Sequence, residues 1–81
     1  RIQFIREHLQ QMRLAITDGV QILGYCPWAA IDVVSTHQGY RKRYGFIYVD
    51  REEFDLKELK RFRKDSFYWY ANVILENGQN L

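Results

Sequence analysis

The sequence predicts a piece of an α/β fold, in the order helix, strand, long loop, strand, helix. Three observations favour this class: a helix-period stripe at the start, an apolar strand directly after it, and a length of only 81 residues. A near-continuous apolar strand that follows a helix is typical of a parallel sheet covered on both faces. Because the chain offers no further strands for such a sheet, we expect it to belong to a larger fold.

The first helix is predicted from residue 2 to residue 18. Its apolar side chains recur at steps of three and four, which places them on one stripe of a helix. They are Ile2, Ile5, Leu9, Met12 and Ile16. We expect Asp18-Gly19 to end the helix, because glycine readily adopts the left-handed conformation that terminates helices.

Two strands are predicted after this helix. Residues 20–25 are mostly apolar and of strand length, and Pro27 should end the strand because proline cannot donate to a ladder. Residues 44–50 are rich in aromatic and β-branched side chains, which favours a second strand.

The rest of the chain is predicted as an irregular stretch and a second helix. Residues 51–64 are charged and irregular, with one helical turn allowed near residues 55–59. Asp65 or Ser66 is expected to cap the last helix, because a short polar side chain can accept from the first free amides. Asn77-Gly78 should close it.

The composition excludes several function classes. A hydrophobic content of 47% and an aromatic content of 16% exclude a disordered tail, and a net charge of +2 is too weak to indicate nucleic acid by itself. No stretch approaches the ~18 apolar residues of a membrane span. The single Cys26 excludes an internal disulfide framework and fits a reducing, intracellular setting. With one cysteine, and His8 and His37 far apart, neither a metal nor a cofactor is predicted.

The most informative stretch runs from residue 25 to residue 50. It reads YCPWAAIDVVS and then GYRKRYGFIYVD. These motifs resemble the last barrel strand and following loop of family 1 glycoside hydrolases, whose members read W-S-L-x-D-N-F-E-W and then G-Y-x-x-R-F-G-L-x-x-V-D. The matching positions are Trp28, Asp32, Gly39, Tyr40, Arg43, Gly45, Val49 and Asp50. Within the match, we expect Arg43 to pair with a carboxylate and Asp32 to satisfy amides or basic neighbours.

The resemblance covers the whole chain, because both predicted helices are similar to the family's helices on either side of these motifs. It implies that residues 1–81 form the C-terminal part of a single (β/α)8 TIM-barrel catalytic domain, incomplete on its own. The expected partner is then the rest of the barrel, with a homo-oligomer as a further possibility.

The resemblance also implies a phosphate pocket formed by Ser35, Lys42 and Tyr44. Ordinary β-glucosidases of the family carry a carboxylate where this chain has Ser35. A carboxylate would repel a phosphate on the sugar's 6-position, whereas a hydroxyl can donate to it. The three residues resemble the phosphate site of the 6-phospho-glycosidase branch, in which a cation supplies charge and two hydroxyls supply direction. Trp28 lies where the family stacks an indole on the sugar ring.

Thr36 separates two branches of the family. The phosphogalactosidase relatives carry Trp at this position, so Thr36 favours a glucoside and is assigned to the substrate site. The length of the loop from Ser35 to Tyr44 matches the galacto branch, which keeps a 6-phospho-β-galactosidase as the alternative. The implied reaction is retaining hydrolysis of 6-phosphorylated β-glucosides, either disaccharides or aryl glucosides, in the cytoplasm after uptake has phosphorylated them.

No catalytic residue is assigned within the chain. A retaining mechanism needs two glutamates about 5–5.5 Å apart, and the resemblance places them upstream in T-E-N-G and N-E-P motifs. Glu76-Asn77-Gly78 repeats E-N-G but follows the last helix, where it is predicted to be a helix cap. The segment alone should therefore be inactive. An inactive truncated remnant, poorly stable or oligomeric because of exposed helix faces, is a further alternative.

A small RNA-binding domain is the distant alternative. Residues 42–49 partly match the signature of the RNA recognition motif, and the basic run at residues 60–64 adds to that likeness. The order of elements argues against it, because that fold opens with a strand and this chain opens with a helix. Neither nucleic acid nor a membrane is expected as a partner.

Overall fold

A computed structural model describes residues 1–35, 39 and 42–81. Its regular elements are helix α1 (Ile2–Thr17), strands β1 (Ile47–Val49) and β2 (Arg61–Arg63), and helix α2 (Asp65–Leu75). These residues divide into two compact units, one comprising residues 1–27 and 69–81 and the other residues 28–68. Within the described ranges, no helix has the length and apolar character needed to cross a bilayer.

Helix α1 ends at a glycine cap, as predicted. Gly19 has a φ of +98°, in the left-handed region. Its amide donates to the carbonyl of Ile16 at 3.0 Å, and the amide of Val20 donates to that of Ala15 at 3.0 Å. This pair of bonds is the Schellman motif, which satisfies carbonyls that the last helical turn leaves unpaired. The predicted end at Asp18-Gly19 is confirmed.

Helix α2 begins at Asp65 and ends in a cap of the same kind. Asn77 has a φ of +52°, and its amide donates to the carbonyl of Ile74 at 3.1 Å. The amide of Gly78 donates to the carbonyl of Val73 at 2.8 Å. The E-N-G sequence at residues 76–78 is therefore a helix cap, as predicted.

The first unit contains an apolar groove between the two helices. Among its lining residues are Leu9, Met12 and Ile16 of α1 and Tyr70, Val73 and Ile74 of α2. The stripe predicted for α1 thus faces α2 over its second half. At the other end of α1, Ile5 is buried and the guanidinium of Arg6 lies 5.4 Å from the ring centroid of Trp69.

The strand predicted at residues 20–25 is not formed, which corrects the expected element order. Residues 20–27 carry no regular structure, the side chain of Leu23 is fully exposed, and Val20 is 53% exposed. A strand of a parallel sheet is stabilised by hydrogen bonds to neighbouring strands. The structure pairs residues 20–25 with no strand in the described part of the chain, so nothing holds them in a sheet.

In the second unit, β1 and β2 form an antiparallel pair with Ile47 opposite Arg63, Tyr48 opposite Phe62, and Val49 opposite Arg61. β1 confirms the second half of the strand predicted at residues 44–50. The sequence does not predict β2, because two of its three residues are charged and exposed. β2 exists through its pairing with β1, including a contact between the rings of Tyr48 and Phe62 at 6.3 Å.

The helical turn allowed at residues 55–59 is replaced by a tight turn with left-handed residues. Lys57 and Leu59 have φ values of +49° and +55°. The amide of Lys57 donates to Asp55 Oδ1 at 3.0 Å, so a local side chain takes the role of a backbone acceptor.

The chain from Ala29 to Asp32 runs parallel to the start of β1. The amide of Phe46 donates to the carbonyl of Ala29 at 3.0 Å, and the amide of Asp32 donates to that of Ile47 at 3.0 Å. Ala29, Phe46 and Val49 are the buried apolar side chains among the described residues of this unit. This arrangement places Trp28 and Asp32 beside the segment that carries Tyr44.

Candidate functional site

Lys42 and Tyr44 lie on the same side of the chain. Lys42 Nζ lies 5.8 Å from the centroid of the Tyr44 ring, with a bend in the backbone at residue 42. Lys42 is exposed and Tyr44 is half-buried, so the cation is accessible while the phenol is partly held by the protein. The structure therefore brings together two of the three predicted phosphate ligands.

Arg43, between them, contacts the protein instead. Its guanidinium donates to the carbonyls of Val49, at 2.7 Å, and Arg51, and lies 3.4 Å from Asp32 Oδ2. It also lies over the ring of Tyr48, 4.6 Å from the centroid. The predicted pairing of Arg43 with a carboxylate is confirmed.

Asp32 is the centre of a buried polar cluster. Asp32 is only 4% exposed. Its Oδ1 accepts hydrogen bonds from Lys64 Nζ at 2.8 Å and from the amide of Gly45 at 3.0 Å. Oδ2 accepts from the amide of Val49 at 3.3 Å. Burial alone would raise the pKa of Asp32, but the hydrogen bonds from Lys64, Gly45 and Val49 hold that pKa below its ordinary value. The predicted contacts of Asp32 with amides and basic neighbours are confirmed.

Gly45 lets this cluster close. A Cβ built at position 45 would run into the backbone of Ile31 and Asp32. Only glycine leaves room for two backbones at this approach. Because Gly45 directly follows Tyr44, the close approach also determines where the chain carrying the phenol lies.

Trp28 is 69% exposed, so its indole face is available to a ligand. The next residue, Ala29, donates from its amide to the carbonyl of Tyr44 at 3.1 Å. Trp28 is therefore one residue away from a direct backbone link to Tyr44.

Ser35 lies at the base of a short loop. Its amide donates to the carbonyl of Gly39 at 2.7 Å, and the amide of Gly39 donates back to Ser35 at 3.0 Å. Gly39 has a φ of +59°, which glycine adopts without strain. Thr36, the residue assigned to sugar choice, lies outside the described residues.

Lys64 is the residue of this site that the sequence does not identify. It belongs to a basic run of a kind that is typical of an exposed surface. However, only 23% of the Lys64 side chain is exposed, against 65% for Lys60. A buried carboxylate requires a cationic partner, but the sequence alone does not say which one. The pairing of β1 with β2 determines which cation lies beside Asp32, because it continues into a bond from the amide of Lys64 to the carbonyl of Phe46 at 3.0 Å. Across residues 1–35, 39 and 42–81, no cluster of acidic, histidine or cysteine side chains could hold a metal ion.

Residues 1–79 match the family model for glycosyl hydrolase family 1. The chain belongs to this family. It is 53% identical over its whole length to the aryl-phospho-β-D-glucosidase BglC of Bacillus subtilis and 48% identical to the 6-phospho-β-glucosidase AscB of Escherichia coli. Among solved structures, it is similar to the β-glucosidase from Thermotoga maritima in complex with cyclophellitol, with a TM-score of 0.85 and 41% identity over 96% of this chain.

The chain spans 17% of the length of each of these three relatives. The predicted fold class, a segment of a family 1 (β/α)8 barrel, is confirmed by the family match and the structural neighbour. The match includes the stretch on which the RNA-binding alternative depended, and assigns it to a glycosidase family. The C-terminal position within the domain stays a prediction.

Proposed function

We propose that this segment supplies the phosphate-binding and sugar-binding subsite of a retaining enzyme that hydrolyses 6-phosphorylated β-glucosides. The observation that carries the proposal is the Lys42–Tyr44 pair, with the amino group 5.8 Å from the ring centroid on one side of the chain. An ammonium group supplies charge to a phosphate, and a phenol hydroxyl can donate a directed hydrogen bond. Ser35 replaces the carboxylate that would repel that phosphate.

Overall identity separates the relatives named for phosphorylated glucosides from the one named for plain β-glucosides by only 7–12 percentage points. Relatives named as phospho-β-glucosidases are 48–53% identical to the chain, and a relative named as a β-glucosidase is 41% identical. The proposed preference for phosphorylated over plain β-glucosides therefore depends mainly on Ser35, Lys42 and Tyr44. Trp28 would hold the sugar ring by stacking, and the two catalytic glutamates would come from parts of the enzyme outside this segment.

The sugar itself is proposed to be glucose. Thr36 stands where phosphogalactosidases carry Trp, and the similar phospho-enzymes are named as glucosidases. The alternative, a 6-phospho-β-galactosidase, predicts the reverse preference when 6-phosphoglucoside and 6-phosphogalactoside turnover are compared. We further propose that the enzyme acts in the cytoplasm on disaccharides or aryl glucosides phosphorylated during uptake.

Replacing Lys42 tests the phosphate assignment. In the complete enzyme that carries this segment, Lys42→Ala should lower kcat/KM for a 6-phosphorylated aryl β-glucoside by about 10- to 100-fold, because a charge-assisted hydrogen bond contributes ~1.5–3 kcal/mol. The value for the unphosphorylated aryl β-glucoside should change little. The matched control is Lys60→Ala, which removes an exposed lysine paired with Glu58 at 3.5 Å.

The measurement is the ratio of the two kcat/KM values for wild type and each variant. A ratio that Lys42→Ala leaves equal to that of the wild type would show that the phosphate assignment is wrong. Lys60→Ala should keep the wild-type ratio.

A further inference from the structure

Lys64 contacts residues 42–44, which we call the phosphate segment, at the middle residue Arg43. Its amino group donates to Asp32 Oδ1 at 2.8 Å and to the carbonyl of Arg43 at 3.4 Å. That carbonyl lies between Lys42 and Tyr44 in the chain. The half-buried ammonium of Lys64 therefore pairs with the carboxylate and also holds the backbone from which both proposed ligands extend.

The side chain of Arg43 holds the segment at this same middle residue. The guanidinium bonds the carbonyls of Val49 and Arg51, so that it anchors the segment to β1 and the residues after it. Asp32, whose side chain is 1% exposed, lies between the two cations. Residues 42–44 are thus fixed at one point by three buried or half-buried charged groups.

From this geometry we infer that Lys64 and Arg43 are positioning residues for phosphate recognition, acting through Asp32 and the backbone of residue 43. They set where the amino group of Lys42 and the hydroxyl of Tyr44 lie, without touching the phosphate themselves. The inference rests on the proposed function, because it needs Lys42 and Tyr44 to be the phosphate ligands. Directional contacts lose strength steeply when a group is displaced, since a misplacement of 1 Å can cost about 100-fold.

Lys64 is distinguished from its neighbours in the basic run by its environment. Arg61, Phe62 and Arg63 are exposed in β2, and Lys60 pairs with Glu58 at the surface. Lys64 instead follows β2 directly and is held beside Phe46 by a backbone bond of 3.0 Å. The β1–β2 pairing therefore places the amino group of Lys64 beside the phosphate segment.

The experiment uses Lys64→Met in the complete enzyme, which keeps most of the side-chain volume and removes the charge. We expect the ratio of kcat/KM for the phosphorylated over the plain aryl β-glucoside to fall by about 10-fold, mainly through a higher KM for the phosphorylated substrate. Lys64→Arg should recover part of the ratio, because it restores a cation at the carboxylate. Lys60→Met is the matched control and should keep the wild-type ratio.

A double-mutant cycle distinguishes positioning from general stabilisation. If Lys64 acts through Lys42, the effect of Lys64→Met on the ratio should largely disappear when Lys42 is already Ala. Equal losses of kcat/KM for both substrates, or full additivity with Lys42→Ala, would overturn the inference. Should Lys64→Met fail to fold, Arg43→Lys gives the same readout, because it keeps the charge and loses the guanidinium fork.

The proposed function and this inference fail in different ways. A wild-type ratio in Lys42→Ala would refute the phosphate site itself, and with it the inference. A lowered ratio in Lys42→Ala together with a wild-type ratio in folded Lys64→Met and Arg43→Lys would refute the positioning role alone.

Discussion

At the scale of single residues, the stability of the second unit depends on the charges that surround the buried carboxylate of Asp32. A carboxylate removed from water needs cations and donors to stay ionised. Lys64 and Arg43 supply the cations, and the amides of Gly45 and Val49 supply further donors. Removing the charge of Asp32 would leave two cations without their buried counterion.

Asp32 should therefore make the complete enzyme sensitive to acid. Its folded-state pKa lies below the unfolded value of 3.8, so the ionised form contributes stability above about pH 4, and that stability is lost as the pH falls through the folded pKa. We expect Asp32→Asn to destabilise the enzyme by about 3 kcal/mol at pH 7. We also expect the difference between the thermal midpoints of wild type and variant to shrink below about pH 4.

The measurement is the thermal midpoint of both proteins between pH 7 and pH 3. Asp50→Asn is the control, because Asp50 forms a partly exposed pair with Lys57 at 3.6 Å, and such pairs contribute little. A midpoint difference for Asp32→Asn that stays constant down to pH 3 would contradict the proposed charge balance.

At the scale of secondary-structure elements, both helices end by the same device. Each cap begins with a residue in the left-handed region, Gly19 in the first helix and Asn77, followed by Gly78, in the second, with two backbone bonds back to the last turn. Glycine takes this conformation without cost, whereas residues with a Cβ pay about 1–2 kcal/mol. The end of each helix is thus determined by local backbone preference rather than by contacts elsewhere.

Gly19→Ala should consequently lower the free energy of unfolding by about 1 kcal/mol. A Cβ at position 19 would meet no atom within 4 Å, so the loss would come from the backbone conformation and not from a clash. Gly24→Ala is a closely matched control, because a Cβ there also meets nothing within 4 Å and Gly24 has no positive φ. Denaturant unfolding of the complete enzyme measures the free energy of unfolding of both variants. Equal values would show that the left-handed residue at the end of α1 does not contribute to stability.

At the scale of the whole chain, a large apolar surface remains exposed in each unit. In the first unit Leu23 is fully exposed and Leu75 is 80% exposed, and in the second unit Phe54 is almost fully exposed. Large apolar side chains normally find a buried environment within the fold or with a partner. This exposure, together with coverage of 17% of the relatives' length, supports the prediction that the segment is incomplete alone.

The 81 residues expressed by themselves should therefore bind a hydrophobic dye and self-associate. Analytical ultracentrifugation and dye fluorescence would report this behaviour, with the complete enzyme as the control. Replacing Leu23 and Phe54 together by Gln should reduce both signals, because it removes two of the most exposed apolar side chains. We also expect no hydrolysis of a phosphorylated aryl β-glucoside by the segment. A monomer that binds no dye would show that the segment is self-sufficient.

The sequence by itself determined the two helices, their glycine and asparagine caps, the family, and the residues proposed to bind phosphate and sugar. These features depend on local conformational preference, or on motifs whose residue types and spacing are specific. Only the tertiary structure decided that residues 20–25 carry no strand, that residues 61–63 form β2, and that Lys64 is the cationic partner of the buried Asp32. The physical reason is that strand pairing and charge burial depend on which distant segments meet, and a charged three-residue strand carries no local signal of its partner.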